Sequence, residues 1–277
     1  MAKRLPIRPL VALVVLGLTV AFAAWAVWWP DDSSEVARTE PPRRVHPPST
    51  LPAVQRALDE AEARAAARAK MQPPDALRPD DFAVLNAALS HLAADPKFGL
   101  AMAFDGQQFV LHHETGGGGG DVRPGQVRGD FSGVLGRDAP EGAKPALSEE
   151  ALEDLDARNN SSEIERFEGF SYRKADRAPA RLAGFKPDSP NVVVGDLEAI
   201  PTGEFGHDFR RNFLKAYPDA RAYVWAYLPG YSADGRRAIV RLSVGPSPHG
   251  TMATYLLERG PEDGKWTVVW RWFTHYV

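Results

Sequence analysis

The sequence predicts an α+β protein in which an N-terminal transmembrane helix, a linker and a stalk helix lead into an antiparallel C-terminal sheet packed with helices. Three observations carry this. Leu10 to Trp29 is an uncharged run, flanked by Lys3, Arg4 and Arg8 before it and by Asp31, Asp32 and Glu35 after it. Phe82, Leu85, Leu89 and Leu92 fall on one helical stripe. Four runs of strand composition then close the chain, separated by short gaps rich in turn residues.

The first run spans about 30 Å as a helix, the thickness of a bilayer's hydrocarbon core. With all the basic residues on its N-terminal side, the positive-inside rule leaves residues 1–29 as a cytoplasmic tip and anchor and sends the rest outside. Trp25, Trp28 and Trp29 suit the far headgroup zone. Cleavage and secretion is the alternative, since Ala21-Phe22-Ala23 and Ala24-Trp25-Ala26 are small-x-small sites, but the apolar run continues past both. The chain has no cysteine, which excludes disulfides, thiolate metal sites and lipid attachment through cysteine. A net charge of -3 with interspersed arginines argues against a nucleic-acid surface.

Residues 30–78 read as a Pro-rich linker followed by a stalk helix. Pro30, Pro41, Pro42, Pro47, Pro48 and Pro52 stiffen a segment with too little apolar surface to fold. Ala53 to Met71 is rich in Ala, Arg and Glu, and Glu60 and Arg64 stand at favourable i,i+4 spacing. Its apolar face, Val54, Leu58 and then alanines, is thin, as on a solvated stalk.

Residues 79–277 form the extracytoplasmic α+β domain. Asp80 or Asp81 caps the first helix and Asp95-Pro96 ends it. Leu100–Phe104 and Gln107–Glu114 flank Asp105-Gly106, the pattern of a hairpin. Gly116–Gly120 opens a flexible Gly-rich loop, 115–146, and lacks the Lys-Ser/Thr and helix start of a phosphate loop. Ser148 is a good N-cap, with Leu147 and Leu152 placed as a hydrophobic staple, and Asn159-Asn160 ends that helix. Asn160-Ser161-Ser162 matches a glycosylation triplet. Val192–Val194 reads as a buried strand and Asp208–Tyr217 as a short helix.

The closing runs are Arg221–Leu228, Arg237–Val244, Thr251–Glu258 and Lys265–Tyr276, with Asp234-Gly235 and Asp263-Gly264 in two of the gaps. They make an antiparallel meander. Period two places Trp266, Val268, Trp270, Trp272 and Tyr276 on one face of the last strand if it carries no bulge, and Phe273 and His275 on the other. Bulk on both faces predicts a strand covered on both sides.

The features from Ala222 to Phe273, namely a strand ending in Asp234-Gly235, then AIVRLSV, then ATYLLER, then Asp263-Gly264-Lys265-Trp266, resemble the closing strands of the nuclear-transport-factor-2-like superfamily. The resemblance covers about a fifth of the chain. It implies a cone-shaped α+β fold with helices packed into the sheet, although here a long Gly-rich stretch intervenes. That superfamily hosts binding, enzymatic and scaffolding members, so it does not fix a function.

Candidate chemistry is sparse. His112-His113-Glu114 attracts a metal reading, but adjacent strand residues point to opposite faces, so no metal ligand is assigned. Glu204, His207 and Asp208 fit helix capping. Ser247 and His249 sit in a tight turn with Arg271 and His275 on a neighbouring strand, and these four are the ligand-binding candidates. Serine and histidine two residues apart do not present a proton-transfer pair, and no catalytic residue or cofactor is assigned. Tyr223, Trp225, Tyr227, Tyr231, Trp266, Trp270 and Trp272 are read as core. The expected function is non-catalytic binding or assembly in the cell envelope. Its partners are the membrane through Leu10–Trp29 and an envelope protein or glycan. The alternative is an enzyme or small-ligand binder with a cone-like pocket lined by the C-terminal sheet.

Overall fold

The structure is a computed structural model describing residues 50–94, 104–116, 122–131, 147–167, 170–174, 176–201, 208–245 and 251–275. The chain divides into a unit Met1–Arg56 and a unit Ala57–Val277, and the sheet and its covering helices belong to the second. The Leu10–Trp29 run and the linker up to residue 49 lie outside the described residues. No helix among the described residues is long and apolar enough to cross a membrane.

Five helices and nine strands are described. The helices are α1 (Thr50–Arg68), α2 (Asp81–Ala93), α3 (Pro124–Phe131), α4 (Glu149–Asn159) and α5 (Phe209–Ala216). The strands are β1 (Gln108–His112), β2 (Ile164–Phe167), β3 (Phe170–Arg173), β4 (Val192–Gly195), β5 (Ala220–Ala226), β6 (Gly230–Tyr231), β7 (Arg237–Gly245), β8 (Thr251–Arg259) and β9 (Trp266–His275). The main sheet has the order β4-β1-β5-β7-β8-β9, with β6 also on β7, while β2 and β3 form a separate hairpin.

The four C-terminal strands pair antiparallel in chain order, as their composition and turns require. Gly235 and Gly264 adopt φ of 65° and 66°, the left-handed dihedrals that Asp-Gly was expected to supply. The sheet as a whole is mixed, because β1 lies between β4 and β5 and runs parallel to both. This corrects the hairpin expected around Asp105-Gly106: both edges of β1 are taken. Phe104 instead donates its N–H to the Arg221 carbonyl, and Leu100–Ala103 lies outside the described residues.

Both faces of the sheet are covered, making three layers. On one face the stripe Val84, Leu85, Ala88, Leu89 and Leu92 of α2 packs on Val224, Val240, Leu242, Tyr255 and Leu257. On the other, Leu152 and Leu155 of α4 meet Ile239, Met252, Leu256 and Trp270, and Phe213 of α5 meets Val110 and Ala220. Of the aromatic row read as core, Tyr227, Trp266 and Trp270 are buried, while Tyr223, Trp225, Tyr231 and Trp272 are partly buried against the same clusters. Yet Trp266 and Trp270 face different layers. Leu256 pairs with Trp270 and Leu257 with Val268, so Val269 is the extra residue of a bulge. One inserted residue reverses the alternation beyond it. Trp266 and Val268 thus join the α2 side, while Trp270 and Trp272 join the α4 side.

Ser148 accepts the Ala151 N–H at 3.2 Å and caps α4, and Leu147 packs with Leu152 in the same cluster. Part of the expected Gly-rich loop is ordered: α3 lies within it, and Val122 and Val127 are fully buried against α4. Residues 117–121 and 132–146 lie outside the described set. Asp81 does not act as a simple cap. It is fully buried and accepts two bonds of 2.8 Å from the Arg158 guanidinium, one from the Arg78 N–H and one from the Tyr231 hydroxyl. Arg158 also reaches Asp75 and the carbonyls of Ala76 and Pro229, tying α4 to the start of α2.

Candidate functional site

In sheets with parallel strands, ligands collect outside the strands' carboxyl ends. Here those ends are His112 of β1 and Gly195 of β4, whose parallel register pairs them directly. The chain leaves β1 at His112, and two hydrogen bonds hold the backbone of the next residue. His113 donates its N–H to the Gly195 carbonyl at 3.0 Å, and Leu182 donates to the His113 carbonyl at 2.9 Å. Because the strand stops there, the alternation that would separate the two imidazoles stops as well. Their ring centroids lie 4.6 Å apart in a T-shaped contact. The premise that His112 and His113 point apart is thereby corrected.

His112 is buried, and its Nδ1 accepts the Leu197 N–H at 3.1 Å. A neutral ring held this way carries its proton on Nε2. That Nε2 is buried without a hydrogen-bond partner among the described residues. Burial, with the neighbouring His113, pushes the His112 imidazole below its ordinary pKa and keeps it uncharged. Trp225 flanks it at 6.2 Å.

Around this pair stand three carboxylates. Glu114 is buried between Arg68 at 2.8 Å and Arg181 at 3.2 Å. Burial alone would raise its pKa, but the two guanidiniums outweigh that and hold it below the usual carboxylate range. Arg68 also binds Glu198 at 2.8 Å. Asp196 Oδ1 accepts the N–H groups of Glu198 and Ala199 at 3.0 and 3.1 Å, which shapes the turn after β4. His113 sits between acids: Nδ1 is 3.8 Å from Asp196 Oδ1 and Nε2 is 3.8 Å from Glu114 Oε1. Both gaps exceed hydrogen-bond length.

Chemically, this is a polar cluster with a buried side and an exposed side, at the edge where ligands of parallel sheets bind. Asp196 and Arg181 are 52% and 78% exposed and His113 is half-buried, whereas His112 and Glu114 form the floor. The hydroxyl of Thr115, two residues after His113, is buried and already accepts the Ala180 N–H at 2.8 Å. No family model matches the chain, and neither a curated protein nor a solved structure matches it.

The candidates drawn from the sequence lie elsewhere. Ser247 and His249 fall outside the described residues. Arg271 lies 5.4 Å over the Phe273 ring, and the His275 backbone pairs with Thr251. Strand β9 is four places from β1 in the sheet, about 19 Å at the usual strand spacing. Asn160 of the glycosylation triplet is fully buried and donates to Asp156 Oδ1 at 2.7 Å, so the folded domain offers no acceptor there. Sequence reasoning missed Asp196 and Glu198 altogether. The apolar run Val192–Val194 reads as a buried strand, but β4 is an edge strand on which only Val192 is buried and Val194 is exposed, so the run gave no signal for them.

Proposed function

We propose that this chain is a single-pass membrane protein whose α+β domain, outside the cytoplasm, binds a partner of the cell envelope without catalysing a reaction. The contact surface is the crevice at the carboxyl ends of β1 and β4. Support for the tether comes from Leu10–Trp29 and its one-sided basic flank, with residues 30–78 as linker and stalk. The observation that carries the binding reading is the state of the crevice. Its exposed rim is charged, and its floor is fixed by Arg68 and Arg181 on Glu114. Fixed, ion-paired groups orient a partner well and shuttle protons poorly.

Two measurements test this. A reporter active only outside the cytoplasm, fused after Val277, should be active, and the product should fractionate with membranes at full length. A photo-crosslinking residue at exposed Ala199 should give a discrete adduct in intact cells, and one at exposed Glu262, on the β8–β9 turn, should not. A silent reporter, or identical crosslinking from both positions, would defeat the proposal.

A further inference from the structure

We propose that His112, His113 and Asp196 form a site for a divalent cation of the zinc class. The assignment deepens the reading of this crevice as the binding surface and rests on it. One ligand-capable atom from each of the three lies within 4.8 Å of the others. Tetrahedral zinc with bonds of about 2.0–2.1 Å spaces its ligands by about 3.4 Å, so no pair need close by more than about 1.4 Å on loading. Loading asks most of His112, which must release the Leu197 N–H, and less of His113 and Asp196. The imidazole of His113 makes no hydrogen bond among the described residues, and Asp196 stands on an exposed turn with Oδ2 uncommitted.

The nitrogens are assigned by their surroundings. His113 Nδ1 faces Asp196, while its Nε2 faces Glu114. That is the carboxylate–histidine–metal order, in which the outer carboxylate takes the ring N–H and orients the ligand. Glu114 suits that role because Arg68 at 2.8 Å and Arg181 at 3.2 Å hold its carboxylate in place. His112 has its lone pair on Nδ1, held by the Leu197 N–H, so the tautomer that binds metal through Nδ1 is already present. Loading exchanges the Leu197 contact for the cation. An imidazole nitrogen of His112 also lies within 4.8 Å of Glu114 and Glu198 oxygens.

A second set, His112 with Glu114 and Glu198, has the same spacing, but the Arg68 guanidinium already bridges its two carboxylates. Two imidazoles and one carboxylate favour zinc and its neighbours over calcium or magnesium, which take oxygen. Three protein ligands leave a fourth position toward solvent for a partner's donor atom.

The test uses the full chain in detergent, stripped with chelator and titrated with zinc by calorimetry, with metal content measured after dialysis. His112 is buried, so the half-exposed ligands carry the test as H113Q and D196N. The wild type should hold one zinc ion, and each variant should bind more weakly by at least the roughly 10–100-fold that losing an outer-sphere partner costs, with unchanged circular dichroism. The Leu197 amide resonance should shift on loading in the wild type only. Zinc binding that is absent, or unaffected by both variants, overturns the assignment. If zinc fails while position 199 still crosslinks, the cation is refuted and the binding crevice stands. If both fail, both are refuted.

Discussion

Arg158→Met removes the cation at the centre of the buried junction between α4 and the start of α2. Its side chain is 1% exposed, and the facing Asp81 carboxylate is fully buried. The guanidinium makes two bonds of 2.8 Å to Asp81, one of 2.8 Å to Asp75, and bonds of 2.6 and 2.9 Å to the carbonyls of Pro229 and Ala76. Methionine fills much of the volume but leaves Asp81 charged in an apolar site, with only the Arg78 N–H and the Tyr231 hydroxyl as donors. Breaking a buried pair from one side costs about 3–5 kcal/mol. Domains have about 5–15 kcal/mol of stability in all. With a urea slope of about 2–3 kcal/mol/M, the unfolding midpoint should fall by about 1–2 M. Tryptophan fluorescence of the detergent-solubilised chain reads this directly. Adding Asp81→Leu should restore part of the loss, because no charge is then stranded. A single variant that loses less than about 1 kcal/mol, or a double variant equal to the sum of its parts, would refute the account of the junction.

Two further predictions concern stability. Burial, with the charge of Asp81 beside it, raises the Tyr231 hydroxyl well above its ordinary pKa. The folded state therefore favours the protonated phenol, and this stabilisation is complete below about pH 10 and is lost as pH rises further. Tyr231→Phe should cost about 0.5–1.5 kcal/mol at neutral pH and flatten the alkaline fall in urea midpoint; an unchanged alkaline slope would count against it. Trp270→Ala should cost about 3–5 kcal/mol, whereas Val269→Ser at the exposed bulge should stay within about 0.5 kcal/mol. Comparable losses from the two would mean that the bulge is misplaced.

The C-terminal meander was legible because its signals are local. Asp234-Gly235 and Asp263-Gly264 fix tight turns within a few residues, and Ser148 with its Leu147–Leu152 staple fixes a helix start in the same way. What was not legible depends on distant partners. Nothing near Gln108–His112 says that Val192–Gly195 and Ala220–Ala226 will flank it in parallel, so the nearby Asp105-Gly106 suggested a hairpin instead. The bulge at Val269 has no residue signature, since valine suits a regular strand equally well, and so Trp266 and Trp270 were placed on one face. The metal-capable cluster failed for a related reason. His112 and His113 look like alternating strand residues unless one knows that β1 ends between them, and Asp196 arrives from more than eighty residues away.

The most direct measurement is X-ray absorption at the zinc edge of the loaded full chain. Binding at this cluster predicts a first shell of two imidazole nitrogens, recognised by their outer-ring scattering, one carboxylate oxygen at about 2.0–2.1 Å and one exchangeable oxygen ligand. It also predicts that H113Q removes one imidazole from that shell. An all-oxygen shell, or one that H113Q leaves unchanged, would contradict it.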